Sequence, residues 1–172
     1  EIIRQELTGF SGGIEICYQD GRRYHRWLVE IPNPEFTEEQ PLPLKERGVY
    51  LITGGAGGLG FIFAEYLARK VRARLVLVGR SELTAPQSAK MRELEFHGAE
   101  VLYLRADVAD HAQIKEVINR AKQRFSKIDG VIHSAGILRD SLVIKKTTLE
   151  FETVLAPKVY GTINLDETTC NE

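Results

Sequence analysis

Between Val49 and Gly136, short apolar runs alternate with stretches in which apolar residues recur every three or four positions. That alternation predicts parallel βαβ units whose strands are apolar on both faces because helices cover both sides of the sheet. VYLIT (residues 49–53) is the first strand, and Leu59, Ile62, Phe63, Tyr66 and Leu67 mark one apolar face of the helix after it. RLVLVG (74–79) is the second strand. Thr84-Ala85-Pro86-Gln87 then starts a helix, with a capping threonine, an early proline and a glutamine placed to reach back, and Gly98 ends it. EVLYLRA (100–106) is the third strand, and Asp110 with Gln113 forms a second capping box. The helix behind that box has Ile114, Val117, Ile118, Ala121 and Phe125 on its buried face. GVIHSAG (130–136) is the fourth strand, and the spacing predicts a last helix over 149–169 with Phe151, Val154, Leu155 and Val159 near its buried side.

Upstream, GIEICYQ (13–19) and RRYHRWLVEI (22–31) flank Asp20-Gly21, a dipeptide suited to the positive φ angles of a tight turn, which predicts a β-hairpin. PNPEFTEEQPLPLKERG (32–48) carries four prolines and several acids without periodicity and reads as a linker, with a boundary near Gly48. The expected organisation is a hairpin in 1–31, a linker in 32–47 and an α/β unit in 48–172. The fold class is a Rossmann-type parallel sheet with helices on both faces.

Composition narrows the partners. With 43% hydrophobic and 27% charged residues, 172 residues suffice for one globular core. A net charge of -1 leaves no broad positive field for nucleic acid or an anionic membrane, and no apolar stretch is long enough to span a bilayer. Cys17 and Cys170 lack metal-ligand spacing and read as free thiols of a cytoplasmic protein. Because the chain starts at Glu1 rather than methionine, it reads as a piece of a longer one.

The chemistry concentrates in the turn after the first strand. Gly55, Gly57 and Gly60 satisfy GxGxxG between a strand and a helix. Glycines there permit a tight turn and close backbone approach to a pyrophosphate, which the free N–H groups of the helix N-terminus attract. About twenty residues further on, where a site for NAD offers an acid to the ribose hydroxyls, this chain has Gly79-Arg80-Ser81. Arg80 can pair with a 2′-phosphate and Ser81 can donate to it, which argues for NADPH.

With these residues in place, the chain resembles the short-chain dehydrogenase/reductase family, whose TGxxxGxG pattern is matched by Thr53, Gly54, Gly58 and Gly60 around Leu59. Asp107-Val108 matches the family's adenine-contacting pair, and His133-Ser134-Ala135-Gly136 stands where the family has NNAG or a similar run. Within the family, VYLITGGAGGLG, LVLVGRS, IDGVIHSAGILRD and VLAPKVYGTINLDE look like the ketoreductase domain of modular polyketide synthases. In that domain a structural subdomain precedes the catalytic one, and residues 1–31 look like its closing strands.

The resemblance implies hydride transfer from NADPH to a β-ketoacyl thioester carried by an acyl carrier protein, within a synthase whose neighbouring domains are the other partners. As hydride reaches carbon, charge grows on the carbonyl oxygen, which must be hydrogen-bonded and protonated. The family uses a tyrosine as the acid, assisted by serine and lysine. Lys158 matches that lysine, whose charge favours the phenolate. Asp140, in ILRD, matches the last aspartate of the LDD motif of B-type enzymes, which give the D-hydroxyl; Arg139 departs from LDD, but the final aspartate is the family's diagnostic residue, so the resemblance implies B type, with a cap on the following helix as the alternative role of Asp140. His133 reads as positional and Tyr160 as packing. The family's serine and tyrosine fall beyond Cys170-Asn171-Glu172, so these 172 residues alone are expected to reduce little or nothing. A free-standing dehydrogenase is disfavoured by the long lead before the first strand, and a non-catalytic scaffold by the intact glycine turn, Arg80 and Lys158.

Overall fold

The structure, a computed structural model, describes residues 15–26, 29 and 43–170, which fall in two units within 1–41 and 42–172. In the first, β1 (Ile16–Gln19) and β2 (Arg22–His25) pair antiparallel, with Gln19 opposite Arg22. Asp20 and Gly21 both have positive φ, +51° and +73°, the pair of angles whose twist matches the flanking strands. The rest of the expected hairpin runs and most of the expected linker, residues 30–42, lie outside the described residues.

The second unit runs β3 (Val49–Thr53), α1 (Gly58–Val71), β4 (Arg74–Gly79), α2 (Ala85–Phe96), β5 (Glu100–Arg105), α3 (His111–Phe125) and β6 (Gly130–His133). A 3₁₀ turn (Val143–Lys145) and α4 (Thr148–Thr169) follow. The four strands are parallel in the order β5-β4-β3-β6. Successive strands step outward from β3 to β5, and the chain then crosses back to place β6 on the other side of β3. That reversal opens a crevice at the carboxyl ends of β3 and β6.

Alternation along the strands sorts the core into two layers. Val49, Leu51, Val76 and Val78 pack with Ile114, Val117, Ile118, Ala121 and Phe125 of α3 and Leu165 of α4. Tyr50, Ile52, Leu75 and Leu77 pack with Phe61, Ala64, Leu67 and Ala68 of α1 and Met91 and Leu94 of α2. All five positions expected on the buried face of α3 are buried. Ile114, fully enclosed, contributes about 1.5–3 kcal/mol relative to exposure.

The other two faces need correction. On α1 only Leu67 of the expected stripe is buried; Leu59, Ile62, Phe63 and Tyr66 are exposed, while Gly60, Phe61, Ala64, Ala68 and Val71 face the sheet. The cause is Gly60, whose backbone lies against Gly54 and Gly55. With Gly60 turned inward, the 100° step per residue carries Leu59 and Ile62 outward. On α4 the buried residues are Pro157, Gly161, Asn164 and Leu165, whereas Phe151, Leu155 and Val159 are exposed and Val154 is half-buried. Small Gly161 lets α4 approach Val108, to which an added Cβ would come within 2.9 Å. The expected packing role of Tyr160 is not seen among the described residues, where it is 61% exposed. The fourth strand is also shorter than expected, ending at His133.

Asp129 ties β3 to β6 at their amino ends. Its side chain is 2% exposed, its N–H donates to the Val49 carbonyl at 2.7 Å, and its carboxylate accepts from the Val49 N–H at 2.9 Å. Lys45 at 2.7 Å and Lys127 at 2.9 Å complete the carboxylate's shell. Burial alone pushes this carboxyl up, but the Lys45 bond, the Val49 N–H and Lys127 together outweigh it and hold the group well below the usual carboxylate range. Both cysteines are free and exposed, and among the described residues no helix is long and apolar enough to cross a membrane.

Candidate functional site

The crevice at the strand ends holds a cleft of about 300 Å³. It brings together Gly54, Arg80, Asp107, Val108, Ala135 and Gly136 from the residues expected in the sequence. Val78, Gly79, Ala106, Ala109, Ile137, Thr153, Ala156 and Pro157 line it as well.

One wall is the glycine turn. Gly54 has φ +66°, and a Cβ there would lie 2.7 Å from the Ser134 carbonyl oxygen and 3.0 Å from the Ala135 Cα, so the chain leaving β6 passes directly over it. A Cβ on Gly60 would overlap the Gly54 carbonyl oxygen and sit 2.9 Å from the Gly55 Cα. Gly57 precedes α1 without any side-chain cap, whereas Thr84, Asp110 and Thr147 each cap their own helices. The first N–H groups of α1 therefore lack the internal acceptor that the other three helices have. Gly58 and Leu59 open that helix, both exposed.

A hydrogen-bonded chain crosses the crevice floor. Thr53, fully buried, accepts from the Ala135 N–H at 3.3 Å and lies 2.6 Å from His133 Nδ1. His133 Nε2 lies 2.8 Å from the Pro157 carbonyl oxygen. Because a carbonyl only accepts, Nε2 carries the proton and Nδ1 accepts from the Thr53 hydroxyl. His133 is thus positional, linking β3 and β6 to the turn of α4 that carries Lys158. Lys158 itself is exposed, next to Pro157. His133→Phe, which takes the acceptor from the buried Thr53 hydroxyl and one donor from the Pro157 carbonyl, is expected to destabilise the protein by about 1–3 kcal/mol in thermal or urea unfolding.

Asp107 is fixed on three sides. Its N–H donates to the Gln113 side-chain oxygen at 2.9 Å, its Oδ1 accepts from the Ala109 N–H at 2.9 Å, and its carbonyl accepts from the Asp110 N–H at 3.1 Å. The expected reciprocal box at Asp110 is therefore altered: Asp110 accepts from the Gln113 N–H and side-chain amide, but the Gln113 side-chain oxygen accepts from the Asp107 N–H and not from that of Asp110. Asn164, 7% exposed on α4, donates to the Val108 carbonyl at 2.9 Å. Its signal in the sequence is one amide between Ile163 and Leu165.

Arg80 and Ser81 are exposed after β4, and among the described residues the Arg80 guanidinium has no hydrogen-bond partner. Ser134 is half-buried, its N–H bound to the Thr53 carbonyl at 3.1 Å. Asp140 lies exposed in the loop after β6, outside the residues lining the cleft. It caps nothing: the following 3₁₀ turn starts behind Leu142 and α4 behind Thr147.

Comparison with known proteins agrees with this geometry. A family model described as the KR domain matches residues 48–172. Polyketide synthase PksN of Bacillus subtilis is 44% identical over 155 residues, which are 90% of this chain and 3% of the synthase. A crystal structure of an N-terminal ketoreductase from the macrolactin assembly line is 47% identical, with a TM-score of 0.72, covering 74% of this chain and 26% of that one. A ketoreductase domain from the bacillaene assembly line is 38% identical, with a TM-score of 0.77, over 91% of this chain and 36% of its own. The chain thus spans a few per cent of the curated synthases and roughly a third or less of the solved ketoreductases.

Proposed function

The chain belongs to the ketoreductase (KR) domain family of polyketide synthases, and from that premise we propose that it forms the NADPH-binding part of a domain that reduces β-ketoacyl thioesters. The observation that carries the reading is the uncapped N-terminus of α1 above a turn in which Gly54 and Gly60 leave room only for backbone. Such a site offers donors and a positive dipole end to a pyrophosphate. The residues fit a nicotinamide dinucleotide along the whole crevice. Asp107 and Val108 receive the adenine, Arg80 and Ser81 the 2′-phosphate, Gly54, Gly57, Gly58, Leu59 and Gly60 the pyrophosphate over the buried Thr53 and Gly55 that shape the turn, and Ser134, Ala135 and Gly136 the nicotinamide half.

When bound, NADPH supplies the hydride that reduces the ketone carbon to a secondary alcohol. Lys158, beside the Pro157 carbonyl that His133 holds, brings positive charge to the proton-donating group and favours its ionised form. The substrate is a β-ketoacyl group on the phosphopantetheine arm of an acyl carrier protein, and neighbouring synthase domains supply and consume it in the cytoplasm. Asp140, in the loop leaving the crevice, steers the acyl arm toward the B-type D-hydroxyl product. Residues 1–31 close the structural subdomain ahead of this unit.

The test is to give the full-length protein a β-ketoacyl carrier-protein substrate with NADPH or NADH, follow cofactor oxidation and determine the product's configuration. NADPH oxidation giving the D-alcohol is expected; no turnover would remove the reductase reading, and the L-alcohol would remove the role of Asp140. Arg80→Ala is expected to raise the Kd for NADPH about tenfold and leave that for NADH within about twofold.

A further inference from the structure

We infer that Arg105, with Tyr103, sets the preference for a 2′-phosphorylated dinucleotide from behind the turn that carries Arg80, without touching the ligand. The inference rests on the NADPH reading above. Three successive carbonyls after Val78 are each bound from the β5 segment. The Gly79 oxygen accepts from the Ala106 N–H at 2.9 Å, the Arg80 oxygen from Arg105 Nε at 3.0 Å, and the Ser81 oxygen from the Tyr103 hydroxyl at 2.7 Å. Arg105 Nη1 also reaches the Glu82 carboxylate at 3.3 Å.

This arrangement answers two problems that a phosphate dianion meets on such a turn. Carbonyl oxygens left without donors would present partial negative charge to the anion; here all three are engaged by donors of β5 and the residue after it. Glu82, two residues past Arg80, is a full negative charge that repels a 2′-phosphate as an acid does in sites for NAD. Arg105 engages that carboxylate and the Arg80 carbonyl with one planar fork, a geometry a lysine cannot reproduce. The Arg105 and Glu82 side chains are 63% and 84% exposed, so their ion pair is weak as a source of stability; its use is to fix where the acid sits. Burial, followed by the charge of Glu82, pushes the Tyr103 phenol up, so its hydroxyl stays a donor to Ser81. Arg105 and Tyr103 are therefore positioning residues, acting through the turn on the exposed Arg80.

The probes are 2′,5′-ADP and 5′-AMP, which differ only in the 2′-phosphate, titrated calorimetrically into the full-length protein and its Arg105→Met, Arg105→Lys and Arg105→Met/Glu82→Gln variants. Arg105→Met is expected to weaken 2′,5′-ADP about tenfold and 5′-AMP less than about twofold. Arg105→Lys should recover little of the loss, and removing the Glu82 charge in the double variant should recover part of it. Equal weakening of both ligands, an unchanged ratio, or full recovery with lysine would overturn the inference while leaving NADPH binding in place. A wild-type protein that binds the two probes equally would overturn the NADPH reading itself, and this inference with it.

Discussion

Gly60→Ala is expected to raise the Kd for the dinucleotide at least about 100-fold, equivalent to ~2.7 kcal/mol. The added methyl would overlap the Gly54 carbonyl oxygen and press on the Gly55 Cα, both backbone atoms of the turn that must cradle the pyrophosphate. Neither can rotate away as a side chain would, so α1 must lift from the sheet or the turn must open. Either movement shifts the helix N-terminus and its unpaired N–H groups off the phosphates. Gly58→Ala is the informative companion, because a Cβ there meets no protein atom within 4 Å. It should leave the melting temperature unchanged, so any affinity it loses reports direct contact with the ligand. Calorimetric titration with NADPH and thermal melts of both variants check the pair. Unchanged affinity in Gly60→Ala would remove the glycine turn from the binding site.

The same glycine explains which parts of the fold were legible in the sequence. Strands apolar on both faces, the capping box at Thr84, and the periodicity of α3 are local signals, and local physics decided them. The rotational settings of α1 and α4 are not local. Both helices dock through their smallest residues, Gly60 and Ala64 in one and Gly161 in the other, and turn large apolar side chains outward. Close backbone approach at the crevice outweighed the larger apolar stripe, which hydrophobic spacing alone does not register. The glycine turn and Arg80 stood out because their residue types are tied to a strand-turn-helix context, whereas Asp107 entered only through the family resemblance. The supports behind them were not legible. Asn164 against Val108, and Tyr103 and Arg105 against the Arg80 turn, join residues far apart in sequence, and each is an ordinary polar residue until the fold brings its partner near.

Asp129→Ala is expected to destabilise the α/β unit by about 2–4 kcal/mol, because it strands the fully buried Val49 N–H and releases two lysines at once. For a unit of this size that is a fall in melting temperature of roughly 7–15 °C. Asp129→Asn keeps an acceptor for Val49 while losing the charge, and should cost about half as much. The two variants also separate by pH. The folded carboxyl is held well below its unfolded value of about 3.9, so the charged form's contribution is fully present above that pH and fades as pH falls through the folded value. The stability gap between wild type and Asp129→Asn should therefore stay constant from about pH 7 to about pH 5 and narrow below it. Asp110 and Glu150, whose carboxyls are also lowered, are common to both proteins and cancel in the difference. Urea unfolding of the pair across that range measures the gap. A gap that widens on acidification would mean that the Lys45 and Lys127 contacts do not stabilise the ionised form, and that burial alone governs this carboxylate.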